Sequence, residues 1–302
     1  MTTNRSWLQS VAVWADMVKF GHSIFALPFA LIATFLAARH LEGSGLPQWG
    51  HVGLIVWCMV AARSTAMTFN RIVDAQIDAR NPRTASRPIP AGKISMSAAW
   101  FMLGLSGITF GLGCLGFFVY YGNTWPMLLS GPVLLFLCGY SLTKRFTAFS
   151  HFYLGSTIAF SPVAAWLAID PGSIGWTAVT LLITVACWIG GFDIIYACQD
   201  IDVDRNEGLY SLPSRLGPHR ALWIARVAHT VTAAGLIMIG QLEQLGMIYH
   251  AGVAITIVLL IVENALVKPN DYRHVTLAFF TLNGVISVVL AVAAIADASL
   301  IA

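Results

Sequence analysis

Apolar runs of roughly 17–25 residues, the length that crosses a hydrocarbon core, recur along the chain between short polar connections. They lie near 22–38, 50–69, 97–119, 124–142, 151–169, 174–197, 219–240, 246–266 and 275–296. In lipid a helix satisfies its own backbone groups, whereas an open sheet edge does not. The pattern therefore predicts an all-α fold, a polytopic membrane bundle of about nine transmembrane helices. Only Tyr120–Asn123 separates the third run from the fourth, so either a tight hairpin or a re-entrant break fits there.

Composition agrees with the pattern. The 302 residues are 57% hydrophobic and 10% charged, against about 25% charged in a soluble domain. The longest polar stretches are Arg71–Ser97 and Gln199–Arg220, so no soluble domain fits and residues 1–302 read as one membrane domain. Its halves, roughly 1–145 and 146–302, echo each other: a long span, an acidic cluster, a helix stop and a basic segment. The stops are Asn81-Pro82 and Gly208.

Of the 17 Lys and Arg residues, Arg39 alone falls in the loop after the first span. The rest lie in the N-terminal tail, in the connections after spans two, four, six and eight, or at span ends facing them. The positive-inside rule makes those connections cytoplasmic, with the N-terminus on the cytoplasmic side; a bacterial or archaeal cytoplasmic membrane is the expected location. The net charge of +3 then reflects topology and implies no nucleic acid. Five cysteines in or beside apolar spans, without a CxxC pair, read as small hydrophobes. The first run lacks a convincing cleavage site after Arg39-His40 and reads as its own insertion signal.

The candidate chemistry sits in two acidic clusters at one membrane face. The first is Asn70-x-x-x-Asp74-x-x-x-Asp78, and the second is Asp200-x-x-x-Asp204, entered through Tyr196. With Arg63 set at zero on a helix, Asn70 projects at about −20°, Asp74 at about +20° and Asp78 at about +60°. Asp193, Asp200 and Asp204 share a second stripe, from which Asp202 is excluded by its register. Arg71 points away from Asn70 and reads as an interfacial snorkelling residue. Carboxylates at helix C-termini oppose the macrodipole by roughly 0.3–1 kcal/mol each, and they repel one another. Mg²⁺ between the clusters, holding a phosphate-bearing ligand, would offset both costs. An EF-hand loop does not fit, because its glycine and glutamate are out of place. Arg63 and Asp193 lie inside their spans, where charge faces a partner or a cavity, so they pair with each other or touch ligand. Lys144 and Arg145, after Tyr140, are either basic anchors or donors to diphosphate oxygens.

Asn70-Arg-Ile-Val-Asp74-Ala-Gln-Ile-Asp78, with Asn81-Pro-Arg-Thr-Ala-Ser-Arg87-Pro behind it, resembles the first signature of the UbiA superfamily of intramembrane prenyltransferases. Tyr196-Ala-Cys-Gln-Asp200-Ile-Asp-Val-Asp204, with Ser211–Gly217 behind it, resembles the second. Tyr140-Ser-Leu-Thr-Lys144-Arg145 resembles a shorter third element. Arg71 stands where many members carry Asp, which leaves the first cluster less negative. The resemblance implies helices around a central cavity open to membrane lipid, and two Mg²⁺ ions held by Asn70, Asp74, Asp78, Asp200 and Asp204. Arg63, Lys144, Arg145, Tyr140 and Tyr196 would then contact the diphosphate or an acidic acceptor. Two further segments, Lys19–Ala30 and Glu263–Gly284, resemble the 4-hydroxybenzoate polyprenyltransferase branch and its menaquinone-route relatives. They bring in Lys19 and His22 as acceptor-binding residues, although His22 equally suits a helix cap.

The implied reaction is Mg²⁺-dependent polyprenyl transfer from an isoprenyl diphosphate to a ring carbon of a hydroxylated aromatic acid. That acid is 4-hydroxybenzoate or 1,4-dihydroxy-6-naphthoate, on the way to ubiquinone or menaquinone. Asp74 and Asp200 head the catalytic set, and Asp193 or a metal-site carboxylate takes the ring proton. The competing readings are a haem, chlorophyll-type or glycerolipid acceptor and, in another class, a transporter.

Overall fold

The computed structural model describes residues 13–18, 25–41, 45–269 and 271–301. Among these the elements are helical, with no strand and one isolated bridge between Lys268 and Asp271. Eight helices are long and apolar enough to cross a bilayer. They are built on α2 (Trp49–Val73), α4 (Met96–Tyr121), α5 (Trp125–Thr143), α6 (Ser150–Ile169), α7 (Trp176–Ala197), α10 (Pro218–Leu242), α11 (Met247–Leu266) and α12 (Asn283–Ile301). A shorter apolar helix, α1 (Leu27–Ala38), precedes them and corresponds to the first hydropathy run. Short helices α3 (Ala75–Arg80), α8 (Ile201–Asn206) and α9 (Leu212–Leu216) lie in the polar connections. The protein is an integral membrane protein.

Between α4 and α5 the chain makes a hairpin. Gly122 ends α4 at φ 70°, a left-handed conformation that glycine adopts without a Cβ clash. Its N–H bonds Phe118 O, and the N–H of Asn123 bonds Phe117 O. The Asn123 side chain then fixes the turn, accepting from Trp125 N and donating to the Leu167 and Ala168 carbonyls at the end of α6. At this same end Arg39 donates to the Glu243 carbonyl at the C-terminus of α10 at 2.9 Å, and Thr177 donates to the Glu243 carboxylate at 2.5 Å. The lone basic residue after the first span is thus a helix cap.

The core lies between α1, α6, α7, α10, α11 and α12, and includes Phe29, Trp166, Leu181, Trp188, Ile189, Phe192, Leu236, Tyr249 and Leu290. Lipid tails are as apolar as leucine, so close approach and dispersion, more than hydrophobicity, join these helices. Ala186 and Gly190, one turn apart on α7, form a groove for α6. A Cβ on Gly155 would overlap the Ala186 carbonyl and stand 3.1 Å from Gly190 N. Gly155→Ala is therefore expected to destabilise the protein by about 1–3 kcal/mol. Gly104→Ala, with nothing within 4 Å of its added Cβ, should be neutral or stabilising by up to about 1 kcal/mol. Thermal unfolding in detergent compares the two, and equal effects would mean that α6 and α7 do not meet at Gly155.

Candidate active site

The last turns of α2 and α7 reach the same end of the bundle, and each continues past a break into a short helix. At the first break Asp74 has φ −91° and ψ 1°, yet the ladder runs on, with Asp74 N bonding Asn70 O and Asp78 N bonding Asp74 O. Asn70, Asp74 and Asp78 therefore stay on one stripe. Beyond α7, a 3₁₀ turn at Cys198–Asp200 leads into α8. Gly208, at φ 67°, ends that element, and Leu209 N returns to the Asp204 carbonyl at 2.7 Å.

Both clusters line one cavity of about 140 Å³, walled by Asn70, Asp74, Asp78, Asp200, Asp204 and the three cations Arg83, Arg87 and Lys144. Four carboxylates thus face three cations. Asp74, 1% exposed, is met by Lys144 Nζ at 2.8 Å and Arg145 Nη2 at 3.0 Å. Asn70 also donates to it at 3.0 Å. Asp78 accepts from Arg87 through both oxygens at 2.7 Å. Arg83 forks onto Asp200 at 3.0 and 2.6 Å, and its third nitrogen donates to the Tyr196 hydroxyl. Burial pulls the Arg83 guanidinium down, but the Asp200 charge and hydrogen bonds hold it above its ordinary value. Outside the cavity Arg80 pairs bidentately with Glu207, joining the connection after α2 to the one after α7. The Arg80 hydrogen bond lowers the Glu207 carboxyl. This exposed pair is therefore kept above the ordinary carboxylate range and lost as pH falls through the lowered value.

Chemically the cavity offers hard oxygen donors beside guanidinium and ammonium groups. Among the described residues no three His, Cys, Asp or Glu side chains stand together as metal ligands; Asp74, Asp78 and Asp200 are each turned onto a cation. The donor set still fits Mg²⁺, which prefers carboxylate and amide oxygens. The cations that hold the carboxylates fit the oxygens of a diphosphate equally well.

Several expectations need correction. Arg71 is 5% exposed and donates to Asn70 Oδ1 at 2.9 Å and to the Met17 carbonyl, so it does not snorkel. Asp193 does not line the cavity: it pairs with His151 at 2.7 Å. Arg63 also lies off the cavity wall, in the electrostatic neighbourhood of Tyr140 and Arg71. Tyr140 donates to Met67 Sδ at 3.7 Å. Asp202 is exposed and off the stripe, as its register predicts. Lys19 and His22 fall outside the described residues. Arg83 and Arg87 join the site although the sequence reading places them only in a basic segment. Their four-residue spacing behind Asn81-Pro82, beside an acidic stripe, was the available signal.

An aromatic column starts next to the cavity, where the Tyr196 hydroxyl accepts from Arg83, and runs into the core. Tyr196 meets Phe279 at 4.2 Å between centroids, Phe279 meets Phe192 at 5.2 Å, Phe192 meets Trp188 at 5.2 Å, and Trp188 meets Phe29 at 5.0 Å. Such pairs add about 0.5–1.5 kcal/mol each beyond their burial, and their faces suit a cation.

The UbiA prenyltransferase family model matches residues 26–285. The mitochondrial 4-hydroxybenzoate polyprenyltransferase of Arabidopsis thaliana is 31% identical over 255 residues, covering 82% of this chain and 61% of that protein. The 4-hydroxybenzoate octaprenyltransferase of Vibrio campbellii is 26% identical, over 83% of this chain and 86% of its own length. Among solved structures, an apo UbiA homolog from Aeropyrum pernix superposes with a TM-score of 0.80 at 28% identity, covering 91% of this chain and 98% of that one. A homolog from Archaeoglobus fulgidus, solved with GPP and Mg²⁺, shares the fold with a TM-score of 0.71 at 17% identity, over 95% of this chain and 99% of that one.

Removing the Asp74 carboxylate leaves Lys144 and Arg145 facing each other, and both are about one-third exposed. Asp74→Ala is expected to cost on the order of 2–4 kcal/mol, below the full effect of a wholly buried pair. Asp202→Ala should stay within about 0.5 kcal/mol. Denaturation in detergent ranks them, and equal losses would refute the electrostatic role given to Asp74.

Proposed function

The chain belongs to the UbiA prenyltransferase family, and we propose that it transfers a polyprenyl group to a ring carbon of a hydroxylated aryl carboxylate. The donor is an isoprenyl diphosphate. The observation that carries the reading is the convergence of Asp74, Asp78, Asp200 and Asp204 with Arg83, Arg87 and Lys144 on one cavity. The names of the relatives support 4-hydroxybenzoate as the acceptor and ubiquinone synthesis as the pathway. 1,4-Dihydroxy-6-naphthoate presents the same phenol and carboxylate and is the second acceptor to test.

In this reading Asn70, Asp74 and Asp78 hold one Mg²⁺, and Asp200 and Asp204 hold a second. When bound, the metal neutralises the diphosphate and makes it a better leaving group. Arg83, Arg87 and Lys144 would exchange their carboxylate partners for diphosphate oxygens as charge-assisted donors. Arg145 would stay on Asp74 and the Val73 carbonyl, which fixes the end of α2. The aromatic column from Tyr196 to Trp188 keeps water from the allylic carbon and turns ring faces toward positive charge developing there. The acidic face would be cytoplasmic, by the distribution of Lys and Arg between the two ends.

The test is a prenyl-transfer assay in membranes, with a long-chain isoprenyl diphosphate, each acid in parallel, and Mg²⁺ or EDTA. Mg²⁺-dependent product with one acid is expected. Loss on the order of 10²-fold or more is expected in Asp74→Ala and Asp200→Ala, and a change of no more than about twofold in Asp202→Ala. No product with either acid from folded protein would sink the aryl carboxylate reading and turn attention to haem, chlorophyll-type and glycerolipid acceptors.

A further inference from the structure

Behind the second acidic cluster lies a pair, a buried histidine and a half-buried aspartate, that the proposed chemistry does not use. His151, 4% exposed in the first turn of α6, places Nδ1 2.7 Å from Asp193 Oδ2 on α7. Its other ring nitrogen, Nε2, accepts the backbone N–H of Leu212 at 3.2 Å. An amide can only donate, so Nε2 carries no proton and Nδ1–H donates to Asp193. Both ring nitrogens are thereby engaged, and the imidazole keeps no free lone pair with which to act as a base.

The backbone it holds is the one that shapes the site. Leu212 opens α9, whose N-cap Ser211 exchanges hydrogen bonds with Ser214. Ser211 also faces the Asp204 carboxylate, which has Lys144 and His151 among its neighbours. One residue earlier, Tyr210 N donates to the Lys144 carbonyl at 2.7 Å, and the Ser150 hydroxyl donates to the Tyr210 carbonyl at 3.4 Å. Leu209 N closes on the Asp204 carbonyl. Residues 209–212 are thus stitched to Asp204, to Lys144 and to the start of α6, and the His151 bond pins the far end of that stretch.

We propose that Asp193 and His151 are positioning residues: Asp193 fixes the imidazole tautomer, and His151 anchors Leu212 so that Ser211, Asp204 and Lys144 keep their places at the cavity. The inference rests on the reading of the second cluster as a metal site. Outer partners of ligating carboxylates change metal affinity by about 10–100-fold when removed.

The test uses the full chain in detergent, Mn²⁺ as an EPR-visible probe with inorganic diphosphate, and melting temperature as the check on folding. His151→Gln places an amide oxygen near the position of Nε2 and keeps an acceptor for Leu212. His151→Asn places its amide near Nδ1, keeping a partner for Asp193 but nothing for Leu212. Mn²⁺ affinity is expected to fall about 10-fold or more in His151→Asn and to stay within about threefold in His151→Gln. Equal affinities in both folded variants, or the reverse order, would overturn the proposal. Should His151→Asn fail to fold, Asp193→Asn keeps an acceptor for Nδ1–H and Asp193→Ala removes it. Only the alanine variant should then lose affinity, and unchanged affinity there overturns the proposal. If the wild-type protein itself binds no Mn²⁺ with diphosphate, the metal reading falls and the positioning role with it. A prenyl-transfer assay with and without EDTA separates that failure from one confined to the variants.

Discussion

The acidic end of this bundle answers to one constraint: carboxylates placed at the ends of apolar helices need partners of opposite charge. An isolated buried ion loses several kcal/mol of hydration, and the dipoles of α2 and α7 oppose negative charge at their C-termini. The chain meets this with cations from two separate connections: Arg83 and Arg87 after α3, and Lys144 and Arg145 after α5. The site is therefore a set of ion pairs, which the proposed function reads as exchangeable. A metal ion could replace the cations on the carboxylates, while a diphosphate replaces the carboxylates on the cations. Such an exchange conserves the charge pairing, so ligand entry need not leave a charge uncompensated in a low-dielectric cavity.

The membrane side of the fold was legible because hydropathy has a long period and a large signal. The α4–α5 hairpin was ambiguous only until Gly122 took its left-handed conformation and Asn123 fixed the turn. Register arithmetic also worked for the clusters: Asn70, Asp74 and Asp78 share a stripe despite the break at Asp74, and Asp202 points elsewhere. What failed was partner assignment. Helical projection gives a direction but not what stands opposite. Arg71 turned inward to Asn70 and the Met17 carbonyl, and Asp193 found His151, an N-terminal residue of another helix that carried no motif. Arg83 and Arg87 belong to a loop whose path no periodicity describes.

Precision at the site depends on packing well away from it. Ion pairs near 2.7 Å hold only if α2, α6 and α7 cannot slide, since a displacement of 1 Å changes a hydrogen bond to a miss. Gly155 against Ala186 and Gly190 sets the separation of α6 and α7 at backbone contact, which gives little freedom for sliding. His151 and Asp193 lie on those same two helices, and through Leu212 they extend that rigidity into the loop carrying Ser211.

Another buried carboxyl, inside the bundle, is met by an amide instead of a cation. Glu263 on α11 is fully buried and accepts from Asn283 Nδ2 at 2.8 Å. Asn283 also donates to the Ala278 carbonyl, in the π-helical turn Leu277–Leu282. Trp188 in turn donates to Asn283 Oδ1 at 2.7 Å. A π turn lengthens the backbone loop and commonly leaves a carbonyl needing a partner, which the Asn283 amide here supplies. The polar chain thereby fixes the indole of Trp188, at the inner part of the aromatic column that begins at Tyr196. In a bilayer such a chain persists only where each link has few alternatives, because an unpaired polar group costs more there than in water. The column is thus held by hydrogen bonds, at Trp188 and at the Tyr196 hydroxyl, as well as by packing.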